Sequence, residues 1–339
     1  MTRRSSSVTI RDVAREAGVS VATVSRYINK NAPVSTEVGD RLHLVMNKMR
    51  YMPHAAARNL ASRKTRVIGL LLNNLHNDFF VPLLNGVEAV VRKKDYNLII
   101  ATYHASSRDH IPAPIGPHNT DGLLVFSDGL TDDDLTALNR RGFPMVLVHR
   151  TPPSQLPIPS VTVENVEITK SLVEHLIQAH GKRRILFLRG PIHQEDSKWR
   201  ESGYRSALQA NGIPIDEKLI LNGDFERDIA YQVMNEFLSN GGRAAFDAVF
   251  TGDDDAAIGV LKSLHEHEVR IPEDVAVIGF DDLGFAPFLN PPLTTVRAPT
   301  ESVGKIATER LFGLLENSPS DEVIILPTEI IFRRSCGCH

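Results

Sequence analysis

The sequence predicts an all-α helix-turn-helix headpiece followed by an α/β core built from two doubly wound parallel sheets. A glycine turn between two helical patterns near the amino terminus predicts the headpiece. Beyond residue 66, short apolar runs alternate with amphipathic helices, as parallel sheets covered on both faces require. Charge divides the chain at the same point: residues 1–66 hold 13 Lys/Arg against 4 Asp/Glu, whereas the whole chain has a net charge of −3. The basic segment is therefore expected to meet a polyanion.

The first helices have recognisable start and stop signals. Thr9 is predicted to be an N-cap, with Asp12 completing a capping box three residues later. Gly18 suits the tight turn that ends this helix. Ser20 is predicted to cap the second helix and Ser35 the third.

The second helix, 21–29, carries small side chains on one face. Val24 and Ile28 lie one turn apart and are expected to pack inward, which leaves a small face with a single long cation, Arg26. Such a face can enter a DNA major groove, although it would also suit a small bundle docked on the body. The basic charge favours DNA. The predicted DNA contacts in this region are Ser20, Val21, Ala22, Thr23, Ser25, Arg26 and Asn29.

The core pattern gives its strands in order. The strand candidates are 66–72, 96–102, 121–126, 144–149, 183–190, 246–252 and 274–280, with helical stretches such as 82–94, 165–180 and 256–268 between them. One crossover departs from the pattern. Pro112, Pro114 and Pro117, together with Gly116, predict a loop over 106–122 in place of a helix.

Polar and aromatic residues follow the predicted strands. In open parallel sheets, ligands bind beyond the carboxyl ends of the strands, so these residues are expected to share one cleft. Carboxylates and arginine bind hydroxyl groups, and aromatic rings stack on sugar C–H faces. The cleft is expected to hold a sugar-like effector. The effector-binding candidates are Asn73, Phe79, Arg150, Arg200, Phe225, Asp253 and Asp281.

Several features are expected to serve structure only. In the run at 252–257, Asp254 is predicted to cap a helix, and no metal site is expected there. Cys336 and Cys338 lack a second ligand pair for zinc and are expected to form a reduced tail. Trp199 is expected either to line the cleft or simply to pack. The histidines at 104, 110, 118, 265 and 267 are expected to face solvent, and no cofactor is expected.

The pattern TIRDVAREAGVSVATVSRYIN, with the later Tyr, Pro, Ala-Arg, Leu and Ile-Gly-Leu-Leu matches, resembles the lactose/galactose repressor (LacI-type) family. The resemblance extends across almost the whole chain. It implies a repressor that binds a pseudo-palindromic operator as a homodimer, with Val21 and Ala22 reading bases. It also implies a core like that of periplasmic sugar-binding proteins. In that core, Arg200 and Asp281 hold the effector, and Phe79 and Phe225 form apolar walls.

The resemblance also assigns the segment after Pro53. Residues 53–63 correspond to a hinge helix that folds on DNA, in which Leu60 wedges into the minor groove and Ala57 lies one turn back. His54 and Gly39 depart from the family pattern, and Gly39 is expected to cost the third helix about 1 kcal/mol. The implied divisions are 1–52 (headpiece), 53–65 (hinge helix or linker) and 66–339 (effector-binding and dimerisation core), with subdomains 66–163 plus 298–322 and 164–297 plus 323–339.

Two other classes of function compete with a regulator. A solute-binding protein of a transporter would have a similar core, but it would carry a signal peptide and lack the basic headpiece. An enzyme would need a nucleotide loop, a nucleophile motif or a catalytic pair, and the sequence offers none. We expect a cytoplasmic protein without a membrane span, because the sequence has neither a signal peptide nor a long apolar run. We expect a homodimer and not a tetramer, since the chain ends in FRRSCGCH without heptads. The identity of the effector, the direction of control and the operator stay open.

Overall fold

The computed structural model describes residues 8–29, 32–51, 64–75, 78–102, 114–154, 156–318 and 322–338. The chain divides into two compact units, 1–66 and 67–339, and each unit is described by itself. Within the described ranges, none of the helices combines the length and the apolarity of a membrane span.

The first unit contains three helices, α1 (Ile10–Ala17), α2 (Val21–Asn29) and α3 (Thr36–Lys48). The capping box is present: the Thr9 hydroxyl oxygen accepts from the Asp12 backbone N–H, and the Asp12 carboxylate accepts from the Thr9 N–H. Gly18 ends α1 in the left-handed conformation, at φ 67°, as its lack of a Cβ permits. Both predictions for α1 are confirmed.

The headpiece core joins all three helices through fully buried apolar side chains. Val13 of α1, Val24 of α2 and Leu42 of α3 are each 0% exposed. Gly39 lies where α3 meets Tyr27 of α2, and a Cβ on this glycine would come within 3.3 Å of the Tyr27 ring. The glycine that weakens α3 by propensity therefore gives the tyrosine room to pack. Ser35 holds the N-cap position of α3 as predicted, but its side chain makes no capping hydrogen bond.

The second unit is an α/β core. Its strands are β1 (Val67–Leu72), β2 (Asn97–Thr102), β3 (Gly122–Phe126), β4 (Met145–Val148), β5 (Ser160–Val163), β6 (Ile185–Arg189), β7 (Ile220–Asn222), β8 (Ala248–Thr251), β9 (Ala276–Ile278), β10 (Thr295–Arg297), β11 (Val323–Leu326) and β12 (Glu329–Ile331). Its helices are α4 (Phe80–Lys93), α5 (Asp132–Arg140), α6 (Val166–His180), α7 (Glu195–Ala210), α8 (Arg227–Ser239), α9 (Asp254–Glu266) and α10 (Thr300–Leu315).

The strands form two parallel sheets and one small antiparallel pair. The larger sheet has the order β11-β5-β4-β3-β1-β2, and the smaller one has the order β7-β6-β8-β9. β10 pairs antiparallel with β12. Crossover helices bury apolar residues against both sheets, which explains why β3, β4 and β8 are buried along their whole length. The predicted fold class is confirmed.

Each strand predicted from the sequence is present, and several others are not predicted. β5, β7, β10, β11 and β12 have only three or four residues each, which is too short to give a clear pattern. β11 lies in the larger sheet beside β5. The assignment of residues 323–326 to the second subdomain is therefore wrong, because parallel pairing with β5 places them in the first.

Helix pairs approach closely where one helix offers a glycine. A Cβ on Gly86 of α4 would lie 2.0 Å from the carbonyl oxygen of Glu301, and one on Gly304 of α10 would lie 2.3 Å from that of Leu83. The two helices thus pack backbone against backbone.

The predicted loop over 106–122 is partly described. Residues 114–121 form bends and a turn, in which Asn119 accepts a hydrogen bond from the Gly116 N–H. Residues 103–113 lie outside the described residues, and His104 and His110 lie there. His118 and His265 are exposed as predicted, whereas His267 is half-buried and bonds Asn235, so its prediction is wrong.

Candidate functional site

The second helix of the headpiece presents its small face outward. Val21 is 43% exposed, and Ala22 and Arg26 are exposed as well, while Val24 on the opposite side is fully buried. Ser25 is half-buried between the two faces. The exposed positions combine two short apolar groups at the amino-terminal end with one guanidinium a turn later. Such a face allows a helix to approach base edges closely.

The start of α2 is held by two hydroxyl groups. The Ser20 hydroxyl accepts a hydrogen bond from the Thr23 backbone N–H at 3.1 Å, and the two side-chain oxygens lie 2.9 Å apart. The predicted cap is therefore present. Asn29 ends the helix, but its side chain lies outside the description, and so do Ala57 and Leu60 of the predicted hinge segment.

A cavity of about 490 Å³ lies at the carboxyl ends of strands from both parallel sheets. Asn73 follows β1 and Asp128 follows β3 in the larger sheet, while Asp253 follows β8 and Asp281 follows β9 in the smaller one. The predicted convergence of strand ends is present. The cavity is lined by Asn73, Asn74, Phe79, Phe80, Phe126, Asp128, Pro191, Ile192, His193, Gln194, Asp196, Arg200, Asn222, Asp224, Phe225, Glu226, Ile229, Asp253 and Asp281.

Arg200 is the central cation of the cavity. Its guanidinium donates to the Asn165 side-chain oxygen at 2.9 Å and to the Gly252 carbonyl oxygen at 2.5 Å. The guanidinium carbon also lies 3.6 Å from the centroid of the Phe280 ring. The hydrogen bonds fix the plane of the Arg200 guanidinium, and the Phe280 ring packs on its face. The N–H groups of the guanidinium are therefore oriented before a ligand binds.

The carboxylates beside Arg200 are buried. Asp281 lies 3.3 Å from the guanidinium and adopts a left-handed backbone conformation, at φ 105°. Burial raises the pKa of Asp281, although Arg200 opposes the shift. Burial, and next the negative charge of Asp281, raises the pKa of Asp253 well above its ordinary value. Two buried carboxyl groups thus lie near one cation, where ligand hydroxyls can exchange hydrogen bonds with them.

A third carboxylate, that of Asp196, lies one turn before Arg200 on α7 and has its own partners. The Asp196 oxygens lie 2.8 Å from Nδ1 of His149 and 3.0 Å from the side-chain nitrogen of Asn165. Burial disfavours the charged form of Asp196, but the neighbouring His149 and Arg200 outweigh it and lower the pKa. Nε2 of His149 is buried and has no hydrogen-bond partner within the described part of the chain.

Aromatic rings form the apolar walls. Phe79 is buried and contacts Phe80, Phe126 and His149 edge to face, at centroid distances of 5.4–5.8 Å. Phe225 has a left-handed backbone conformation, and its ring lies over glycines. A Cβ on Gly190 would come within 2.1 Å of that ring. The sequence predicts both rings at the site.

Arg150 is not among the residues that line the cavity, so the structure does not support its prediction as an effector contact. Its guanidinium donates to the carbonyl oxygens of Ser127 and Leu130 and pairs with Asp132. It therefore holds the loop after β3 against the start of α5. Trp199 is half-buried and is also absent from the cavity lining.

The cap of α9 is Asp253, which also lines the cavity as predicted, and not Asp254. Asp253 is the N-cap, accepting from the Ala256 N–H at 2.9 Å while also lining the cavity. Asp254 points inward and accepts from the Leu283 N–H at 2.9 Å and the Thr295 hydroxyl at 2.6 Å. The predicted cap at Asp254 is wrong because this side chain joins α9 to the neighbouring segments.

The sequence does not predict a set of hydrogen bonds across the cleft. His193 lies 2.7 Å from Asp128, and Gln194 donates to the same carboxylate at 3.3 Å. Nearby, the Thr151 N–H and hydroxyl bond the Glu195 carboxylate. These contacts tie the loop before α7, which follows β6 of the smaller sheet, to segments that follow β3 and β4 of the larger one. The one sequence signal for these hydrogen bonds is that His193 and Gln194 follow a predicted strand.

Comparison with known proteins gives matches along the whole chain. Residues 9–54 match the family model for bacterial regulatory proteins of the lacI family, and residues 173–336 match that for a periplasmic binding protein-like domain. The HTH-type transcriptional repressor PurR of Vibrio atlanticus (strain LGP32) is 33% identical over 96% of this chain and 97% of its own length.

Two solved structures share the fold. A lac repressor dimer bound to operator and the anti-inducer ONPF has a TM-score of 0.78 at 24% identity, covering 97% of this chain and 99% of its own. The complex of the transcriptional regulator CelR with cellobiose has a TM-score of 0.68 at 28% identity, with the same coverage.

Proposed function

Because the chain belongs to the LacI family of bacterial regulatory proteins, we propose that it is a repressor whose hold on operator DNA is controlled by a sugar bound in the core cavity. It is a DNA-binding transcriptional regulator, and the genes it controls are those of carbohydrate metabolism. Its relatives are named as regulators, not as enzymes.

The observation that carries the sugar assignment is the pairing of Arg200 with Asp281 in a cavity walled by Phe225 and Phe79. A polyhydroxylated molecule offers donors and acceptors on adjacent carbons, which suits a guanidinium next to a carboxylate. Its C–H face suits an aromatic ring. The cavity volume of about 490 Å³ is in the range of small-molecule sites. CelR, a structural neighbour, binds cellobiose in its complex.

The effector contacts lie in the segments that follow strands of both parallel sheets. They are Asn73, Phe79, Arg200, Phe225, Asp253 and Asp281. A ligand that touches both sheets changes the free energy of one arrangement of the two sheets relative to another. If the operator favours one arrangement, ligand and operator must each alter the other's affinity by the same factor. The bonds from Asp128 to His193 and Gln194 already join the two sides.

The DNA contacts are the outward positions of α2. Val21 and Ala22 supply apolar contacts to thymine methyl groups, Arg26 reaches a base edge or a phosphate, and Ser20 and Thr23 bind phosphates. Ser25 and Asn29 complete this surface. We further assign residues 1–52 to the headpiece, 53–65 to a hinge that carries Ala57 and Leu60 into the minor groove, and 66–339 to the core.

The repressor acts as a homodimer on a two-fold symmetric operator in the cytoplasm, where its DNA is. A single headpiece buries too little DNA surface for specificity at one half-site, whereas two related by symmetry double the contacts. The lac repressor, whose fold this chain shares, is a dimer in its operator complex.

Fluorescence anisotropy with a labelled operator fragment tests this function. The fragment is taken from the regulatory region next to the gene for this chain, and the protein is titrated alone and with a panel of sugars and sugar phosphates. We expect tight binding that weakens steeply with salt, and one sugar that releases the DNA. Binding that no small molecule alters, together with no ligand-induced rise in Tm, would contradict the effector assignment.

A further inference from the structure

Four side chains with nitrogen and sulfur donors, none of which lines the effector cavity, meet at another place in the core. His175 and His180 lie in the last turns of α6, and Cys336 and Cys338 lie in the carboxyl-terminal segment. The sequence predicts that the cysteines lack a second ligand pair. The fold supplies that pair from a helix more than 150 residues away in the chain.

The donor atoms form a compact group. Nε2 of His175 lies 3.1 Å from Nε2 of His180, 3.3 Å from Sγ of Cys338 and 3.9 Å from Sγ of Cys336. Sγ of Cys338 lies 3.5 Å from Nε2 of His180. All four atoms are within 4.8 Å of one another.

Four of these donor separations are close to the edges of a tetrahedral metal centre, and the remaining ones extend to no more than 4.8 Å. Zinc bonds of the usual lengths give tetrahedral edges of about 3.3 Å between two nitrogens, about 3.6 Å between nitrogen and sulfur and about 3.8 Å between two sulfurs. The four measured separations, 3.1, 3.3, 3.5 and 3.9 Å, fall on both sides of these values. Small shifts would bring each donor to bonding distance of one central ion.

The local backbone explains how a Cys-x-Cys pair can present both sulfurs together. Residues 334–336 form a 3₁₀ turn, and Gly337 then takes a left-handed conformation at φ 105°. A Cβ on Gly337 would lie 3.0 Å from Nδ1 of His180, so a larger residue would be strained and would crowd this ligand. The Phe332 ring packs against His175 at a centroid distance of 4.4 Å, tilted by 45°.

We propose that His175, His180, Cys336 and Cys338 form a zinc site that fastens the carboxyl-terminal segment to α6. A His₂Cys₂ set with no open position is typical of structural zinc. The hydroxyl of Thr294, 3.1 Å from Sγ of Cys336, supplies an outer contact to one ligand. The ion adds to the stability of the core and takes no part in binding DNA or effector.

Metal analysis of the full chain, produced without a histidine tag, tests this site. Protein loaded with zinc and then dialysed against a weak chelator is expected to retain one zinc per chain. Cys338→Ser and His180→Gln are each expected to lose it. His118→Gln, which changes an exposed histidine outside the group, is the matched control and should keep it. Zinc should raise Tm in the wild type and the control only.

Cobalt substitution identifies the ligands in the wild type without depending on a variant that folds. A tetrahedral Co²⁺ with two thiolates gives strong visible bands and a sulfur-to-metal charge-transfer band, and zinc should displace it. Three results would overturn the proposal: no retained metal in the wild type, equal zinc in all variants, or a Cys336–Cys338 disulfide in protein kept under reductant.

Discussion

The guanidinium of Arg200 and the carboxylate of Asp281 lie 3.3 Å apart, and each side chain is 3% exposed. The pair stands at the carboxyl end of β9 and is joined to Asn165 and the Gly252 carbonyl by further bonds of the arginine. A buried ion pair with so many fixed partners is costly to break, since each partner would be left without its hydrogen bond. Its position on the cavity wall makes it the natural anchor for a ligand.

Arg200→Lys is expected to raise the effector concentration needed for half-maximal release of the operator by about 10- to 100-fold. Lysine keeps the charge but loses the planar fork that holds Asn165, Gly252 and Asp281 together. The measurement is an effector titration of the protein–operator complex. Arg205→Lys is the matched control, because Arg205 lies on the same helix and pairs with Glu217 outside the cavity. Equal shifts in both variants would count against a ligand contact at Arg200.

Arg26→Ala is expected to weaken operator binding by about 1–3 kcal/mol, because the exposed guanidinium of α2 is the only long cation on that helix. Repeating the titration at several salt concentrations separates two contacts. A base contact leaves the salt slope unchanged, whereas a phosphate contact lowers it by about 1. Arg92→Ala, on the exposed side of α4 in the core, is the control. Unaltered operator affinity in Arg26→Ala would exclude α2 as the recognition helix.

Gly304→Ala is expected to destabilise the core by about 1–3 kcal/mol, since its new Cβ would overlap the backbone of α4 at Leu83. Gly313→Ala in the same helix provides the contrast. Its Cβ would meet only the Ser318 carbonyl oxygen at 3.4 Å, so we expect no loss and a gain of up to about 1 kcal/mol from helix propensity. Urea unfolding of both variants measures the difference. Equal stabilities would refute a close backbone contact between α4 and α10.

Asp254→Asn is expected to gain stability relative to the wild type as pH rises. Burial raises the pKa of Asp254 well above its ordinary value, so the folded protein binds a proton that the unfolded chain releases. The contribution of Asp254 to the free energy of unfolding is complete below the pKa of the unfolded chain, about 3.9. This contribution is lost as pH rises towards the pKa of the folded protein. Asparagine can accept from the Leu283 N–H and donate to the Thr295 hydroxyl.

Thermal unfolding from mildly acidic to neutral pH checks this effect as the difference in Tm between variant and wild type. Asp133→Asn, which changes an exposed carboxylate at the start of α5, controls for the loss of charge alone. Two results would contradict a raised pKa of Asp254. In one, the Tm difference between Asp254→Asn and the wild type does not change with pH; in the other, it grows equally in Asp133→Asn.

The sequence predicts the parts of this molecule that depend on short-range patterns. The capping box at Thr9 and the turn at Gly18 follow from neighbouring residues, and both are present. Parallel strands end at the same edge of a sheet, so the sequence predicts that residues after buried strands share one cleft. The cavity is lined by three such residues, Asn73, Asp253 and Asp281. Val24 and Val21 separate into buried and exposed faces as helical periodicity requires.

Other features depend on distances between remote segments, and no local pattern contains them. His175 reaches Cys338, and His193 reaches Asp128, only because helices and strands from different parts of the chain converge. Arg150 follows a strand, as the residues that line the cavity do. Its guanidinium instead donates a hydrogen bond to the carbonyl oxygen of Leu130. Position after a strand therefore predicts proximity to the cavity, but not the direction of the side chain.

The most direct test of the central claim is selection of binding sites by the full chain from a randomised duplex library, followed by titration of the recovered sequence. We expect enrichment of a two-fold symmetric site, bound tightly by the wild type and released by one sugar. Arg26→Ala should bind it weakly, and Arg200→Lys should bind it but need about 10- to 100-fold more of that sugar for half-maximal release. Recovery of no sequence above background, with the protein folded and dimeric, would contradict the assignment as an operator-binding regulator.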